Sequence, residues 1–118
     1  MHSGIPVSVV ETPEFSAASR KILNDIERDD LIDFLATNPT VGDVIAGTGG
    51  VRKVRWALPG RGKSGGARVI YYYHDERIPL YLFSFYVKND RADITHAQRN
   101  AFKQIVAALV ASHKELDR

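Results

Sequence analysis

Val51-Arg-Lys-Val-Arg-Trp-Ala-Leu58 is where the hydrophobic period of this chain becomes two. Val54, Trp56 and Leu58 share one side of an extended segment, and Lys53 and Arg55 share the other. Ala67 to His74, rich in β-branched and aromatic residues, predicts a second strand, and Leu80 to Lys88 a third. Pro59-Gly-Arg-Gly-Lys-Ser-Gly-Gly66 joins the first two as a long hairpin loop, and Asp75-Glu-Arg77 turns into the third. Short connections of this kind favour an antiparallel meander.

Upstream, Val7 to Glu11 reads as a short strand, after which Thr12 offers an N-cap and Pro13 a first helical position. Phe15, Ile22, Leu23 and Ile26 are expected on one helical face. Leu31, Phe34 and Leu35 suggest a second short helix, ending before Asn38-Pro39 because the residue before proline is steered out of the helical region. Downstream, Thr95 and Gln98 have the spacing of a capping box. Phe102, Ile105, Val106, Leu109 and Val110 then form the core stripe of an amphipathic helix. The order β-α-α-β-β-β-α predicts an α+β fold: an N-terminal strand and two helices, an antiparallel three-stranded meander, and a C-terminal helix.

The 118 residues, 44% hydrophobic and 25% charged, suit a single domain over 1–118, with residues 1–6 expected to be disordered. With no cysteine, thiolate nucleophiles, disulfides and cysteine-held metals are excluded. Four scattered histidines without an HExxH arrangement argue against a histidine metal site. No apolar run reaches membrane-span length, and the first residues lack the pattern of a signal peptide, so a cytoplasmic location without membrane contact is expected.

The net charge of +2 is unevenly distributed. Residues 1–43 carry three basic and eight acidic side chains, whereas 44–74 carry six basic side chains and no acid. Clustered cations of this kind fit a polyanionic partner such as nucleic acid, or a solvated basic face. Gly60-Arg-Gly-Lys-Ser-Gly65 spells GxGxxG, but it leads into a strand where a dinucleotide site needs a helix. A P-loop ending at Gly62-Lys63-Ser64 would need glycine where Ala57 stands.

Lys53 and Arg55, Arg68 at the start of the second strand and Lys88 at the end of the third can converge on one sheet face. Such a set suits RNA cleavage by the RNA's own 2′-hydroxyl, which needs extra phosphorane charge stabilised and two protons moved. Arginine's planar fork matches phosphate oxygens. An equally ordinary reading is the polar side of a half-exposed sheet. Tyr86 and His96 are candidate proton-transfer groups, each with a bland alternative as a packed tyrosine and a surface helix residue. Tyr71 and Tyr73 share one face, and Tyr72 joins Arg68 on the other.

Three segments together, Gly47-Thr-Gly-Gly-Val-Arg-Lys-Val-Arg-Trp56, the run from Gly60 to Tyr73, and Tyr86-Val-Lys-Asn-Asp-Arg91, closely resemble the RelE/HigB-like toxins of bacterial type II toxin–antitoxin systems. Asn38-Pro39 and Gly42-Asp-Val-Ile45 fit the same family. The resemblance implies a compact RelE-like ribonuclease domain that cuts messenger RNA in the ribosomal A site without metal or other cofactor. It places Lys53, Arg55, Arg68 and Lys88 in the catalytic set, with Arg52, Arg61, Lys63 and Arg91 gripping RNA. It also implies a cognate antitoxin, usually a helix-turn-helix DNA-binding protein, through which alone the toxin reaches operator DNA. Asn89 departs from the arginine of RelE-type relatives, and Ile94-Thr-His96 stands where they carry a tyrosine. The identity of the acid and base therefore stays open among Lys53, Lys88, Tyr86 and His96. Two alternatives remain within the superfamily: a ParE-like gyrase inhibitor, and a degenerate toxin acting as an antitoxin-binding co-repressor.

Overall fold

The structure is a computed structural model that describes residues 5–58, 60, 66–87 and 94–116, with backbone alone for 115 and 116. Arg61, Lys63, Lys88, Arg91 and the first four residues of the expected disordered end lie outside the described residues. The elements are β1 (Val9–Glu11), α1 (Pro13–Ile22), α2 (Asp25–Thr37), β2 (Asp43–Val44), β3 (Arg52–Trp56), β4 (Ala67–Tyr72), β5 (Leu80–Val87) and α3 (His96–Leu116). The strands form one sheet in the order β1-β5-β4-β3-β2. The expected antiparallel meander is present as β3, β4 and β5. Two additions make the sheet larger and mixed: β1 pairs parallel to β5, and the two-residue β2 borders β3.

Three layers result. On one face Phe15 of α1 and Leu31 and Leu35 of α2 pack against Val69, Tyr71, Leu82, Phe85 and Val54. On the other, Val106, Phe102, Leu109 and Val110 of α3 cover Ile70, Tyr72 and Phe83. Those of these side chains that are fully buried each stabilise by about 1.5–3 kcal/mol. Ile105, expected on the α3 stripe, is instead 44% exposed. Neither does one helical face run from Phe15 to Ile26. Thr12 caps α1, and Asn24 with Glu27 then forms a reciprocal capping box that starts α2 afresh. The break leaves Ile22 and Ile26 exposed.

A polar cluster ties these first elements together. The buried Arg28 donates from Nη2 to Glu11 Oε1 and from Nε to Ser19 Oγ at 3.1 Å, while Ser16 Oγ donates to the same Glu11 oxygen at 3.0 Å. Arg28→Ala is expected to cost about 2 kcal/mol, less than a fully buried pair because solvent still reaches Glu11. A urea midpoint unchanged from wild type would contradict that role.

The three consecutive tyrosines make the fold sensitive to alkali. Burial is the main cause that pushes the Tyr71, Tyr72 and Tyr73 phenols above their ordinary 10.0. Above about pH 10 the unfolded chain releases these protons while the folded chain keeps them, so stability falls as pH rises. Urea midpoints measured from pH 9 to about pH 11 should decline, and Tyr71→Phe should flatten the decline by its share.

Candidate nucleic-acid interface

The strand register decides which side chains meet. Arg55 stands opposite Arg68 across β3–β4, and Arg68 stands opposite Tyr86 across β4–β5. Side chains directly opposite one another project from the same face, with Cβ atoms about 4.5–5.5 Å apart. Lys53 belongs to the next row on that face, with Ile70 and Ser84 as its cross-strand neighbours. It lies about 7 Å from Arg55 along the strand. Of the four cations expected to converge, Lys53, Arg55 and Arg68 share one face in the register and Lys88 lies outside the described residues, while Tyr86 joins the row of the two arginines. Two arginines directly opposite destabilise a sheet. Among the described residues no ion pair joins either one to a carboxylate, and Arg68 Nη1 donates only at 3.3 Å to its neighbour's carbonyl, that of Ala67. Arg55 is exposed, while Lys53, Arg68 and Tyr86 are half-buried.

Tyr86 owes its place to an irregularity that the sequence reading did not anticipate. Along β5, Leu80 and Leu82 face α1 and α2, but so do Phe85 and Val87, a change of parity. The β4–β5 register passes from Tyr71↔Leu82 to Ile70↔Ser84 and skips Phe83. This extra residue is a β-bulge, a device that re-aims side chains beside functional sites. Phe83 stays on the α3 side, where its ring stacks on Phe102 at 5.4 Å, and the bulge turns Ser84 and Tyr86 to that same side, the side of Arg68.

A family model described as the RelE toxin of the RelE/RelB toxin–antitoxin system matches residues 14–118. The chain belongs to the RelE toxin family. It is thus the toxin of a toxin–antitoxin system, and the family implies an antitoxin partner. The matched span takes in α1 from its second residue and every later element through α3, including all of the cation-bearing strands.

On this RelE-family face, α3 covers one part of the sheet and leaves the arginine row as the other. The glycine turn before β3 seats the helix. Gly49 has φ +80°, and a Cβ there would stand 3.6 Å from Val106. Buried Thr48 braces the turn, donating to the Ile45 carbonyl at 2.7 Å and accepting from the Val51 amide at 3.0 Å. His96 is the first residue of α3 and exposed, just after Thr95, which exchanges capping bonds of 2.8 and 3.1 Å with Gln98.

Arg52, grouped from sequence with the RNA-gripping residues, sits on the opposite face. Its strand parity is that of Val54, and its Nη1 donates to the carbonyls of Gly42 at 2.7 Å and Thr40 at 3.2 Å. One residue the reading missed is Asp43, directly opposite Lys53 across β2–β3 and so a carboxylate at the border of the cationic face. Among the described residues no group of three His, Asp or Glu is placed to hold a metal, and no helix is long and apolar enough to cross a membrane.

Proposed function

We propose that this RelE-family toxin is a single domain that cleaves messenger RNA in the ribosomal A site with the RNA's own 2′-hydroxyl as nucleophile. What supports the reading is the row Arg55–Arg68–Tyr86 with Lys53 beside it, a like-charge pairing that costs stability unless an anion lies across it. In the proposed step the 2′-oxygen bonds to phosphorus as its proton leaves, and the bond to the 5′-oxygen breaks as that oxygen gains a proton. The products are a 2′,3′-cyclic phosphate and a 5′-hydroxyl end.

Arg55 and Arg68 hold the phosphate and neutralise the charge that builds on its oxygens. Lys53 and Lys88 assist charge and proton transfer, and Tyr86 and His96 are the other candidates for moving the protons. Arg61, Lys63 and Arg91 grip ribosomal or messenger RNA through its phosphates. Arg52 drops out of this group because its guanidinium holds the Thr40–Gly42 carbonyls. The antitoxin, a helix-turn-helix protein on this reading, neutralises the toxin and carries it to operator DNA.

The test is primer extension on a messenger RNA in a purified translation system, with and without ribosomes. Cuts only with ribosomes present are the expected result. Folded protein that never cuts, in cells that show DNA damage on its expression, would replace this reading with gyrase inhibition. Neither cutting nor damage would leave a regulatory partner of the antitoxin.

A further inference from the structure

At the far end of β4 from Arg68, the β4–β5 turn and the last turns of α3 line a cavity of about 150 Å³ that opens to solvent. That is room for about five water molecules at liquid density, enough for a phosphoryl group and part of its hydration. Ile78 and Val110 are its apolar lining, and among the described residues the polar side chains of the lining are all basic: His74, Arg77, His113 and Lys114. They come from two elements distant in sequence, which the fold brings face to face.

Both imidazoles are held by tyrosines. Tyr72 Oη and His74 Nδ1 lie 3.0 Å apart, and Tyr81 Oη and His113 Nε2 lie 3.4 Å apart. Asp75 does not line the cavity but flanks it, its Oδ2 3.6 Å from His74 Nε2. It accepts from Arg77 Nη2 at 2.7 Å and Nε at 3.2 Å, a two-point contact that fixes the guanidinium plane. That contact is also the main reason its carboxyl lies below the ordinary 3.8. His113 and Lys114 offset the partial negative charge of the α3 C-terminus. The Arg77 guanidinium and the Lys114 ammonium add N–H donors beside the two imidazoles, over a small apolar floor.

We propose that this cavity is a phosphate-binding site separate from the arginine row. Its ligand is a phosphate group, either free or terminal on a small molecule, or a phosphodiester of an RNA backbone. Arg77 and Lys114 supply the charge, His74 and His113 direct hydrogen bonds to the oxygens, and Ile78 and Val110 exclude water from one side. The site does not depend on the cleavage reading, because none of its residues belongs to the proposed catalytic set.

The experiment follows the histidine side-chain resonances of the full chain at constant ionic strength in chloride buffer. One arm titrates inorganic phosphate, and the other a short oligouridylate with hydroxyl ends, whose only phosphates are diesters. His74 and His113 should shift together and saturably in at least one arm, and the paired change Arg77→Gln with Lys114→Gln should weaken that response about tenfold or more. Thermal melts of the variant confirm that it is folded, since both altered side chains lie at the surface. A response to phosphate alone identifies a free or terminal phosphate as the ligand, and a response to the oligonucleotide identifies the backbone diester. No saturable shift of the two histidines in either arm, or a shift that the paired variant leaves unchanged, overturns the proposal.

Discussion

Arg68→Ala is expected to lower ribosome-dependent cleavage by about 10²–10³-fold, the loss that follows removal of one donor to a developing oxyanion. Arg68 is the central member of its row, between Arg55 and Tyr86, so no neighbour can replace its fork without moving a strand. The same substitution should leave the melting temperature unchanged or slightly higher, because it removes one of two like charges set directly opposite. That combination, activity lost and stability kept, separates a phosphate-holding arginine from a structural one. Arg68→Lys should recover only part of the rate, since an ammonium keeps the charge but not the planar pair of donors. If Arg55 and Arg68 grip one phosphate, Arg55→Ala added to Arg68→Ala will cost less than the sum of the single losses. Cleavage at the wild-type rate by folded Arg68→Ala protein would remove Arg68 from the mechanism and with it the centre of the proposed site.

How much of this was legible in the sequence depends on how much contrast each strand carries. In β3 the alternation of Lys53 and Arg55 with Val54 and Trp56 told the two faces apart, and the structure keeps that assignment. The same parity already set Arg52 with Val54, yet counting it into a basic patch hid the signal; charge along a sequence says nothing of side. The capping residues Thr12 and Thr95 were readable because their geometry is local. By contrast β5 is apolar on both faces, buried by α1 on one side and by α3 on the other. Leu80-Tyr-Leu-Phe-Ser-Phe-Tyr-Val87 therefore has no phase from which a bulge at Phe83 could be read, and the face of Tyr86 could not be derived by alternation across it. The two residues of β2 were too few to show any period, so Asp43 opposite Lys53 escaped notice as well. The parallel partnership of β1 with β5 is a contact between segments some 70 residues apart, beyond the reach of local pattern.

Tyr71→Phe should produce the largest loss of stability from the deletion of a single oxygen. The Tyr71 hydroxyl is fully buried, donates to the Pro39 carbonyl at 2.9 Å and accepts from the Gly42 amide at 2.9 Å. Phenylalanine would leave both backbone groups without that partner, at an expected cost of about 3 kcal/mol. In a chain of this length that is a fall of roughly 10 °C in melting temperature. Gly42→Ala attacks the same junction from the other side. A Cβ at Gly42 would lie 2.9 Å from Tyr71 Cε1 and Oη and 3.0 Å from the Lys53 carbonyl oxygen, so β3 or the ring must shift. The junction also reaches the site: Gly42 precedes Asp43, which lies opposite Lys53, and its carbonyl takes the Arg52 guanidinium. Both variants should therefore slow cleavage severalfold even at temperatures where they remain folded, whereas Arg28→Ala, which disturbs β1 and the first helices at the other edge of the sheet, should not. Combining the two changes should cost less than their sum, because deleting the hydroxyl removes one of the contacts that the added methyl group would violate. Strict additivity would mean that the ring and the glycine are independent, and that the turn before β2 is held by Arg52 rather than by Tyr71.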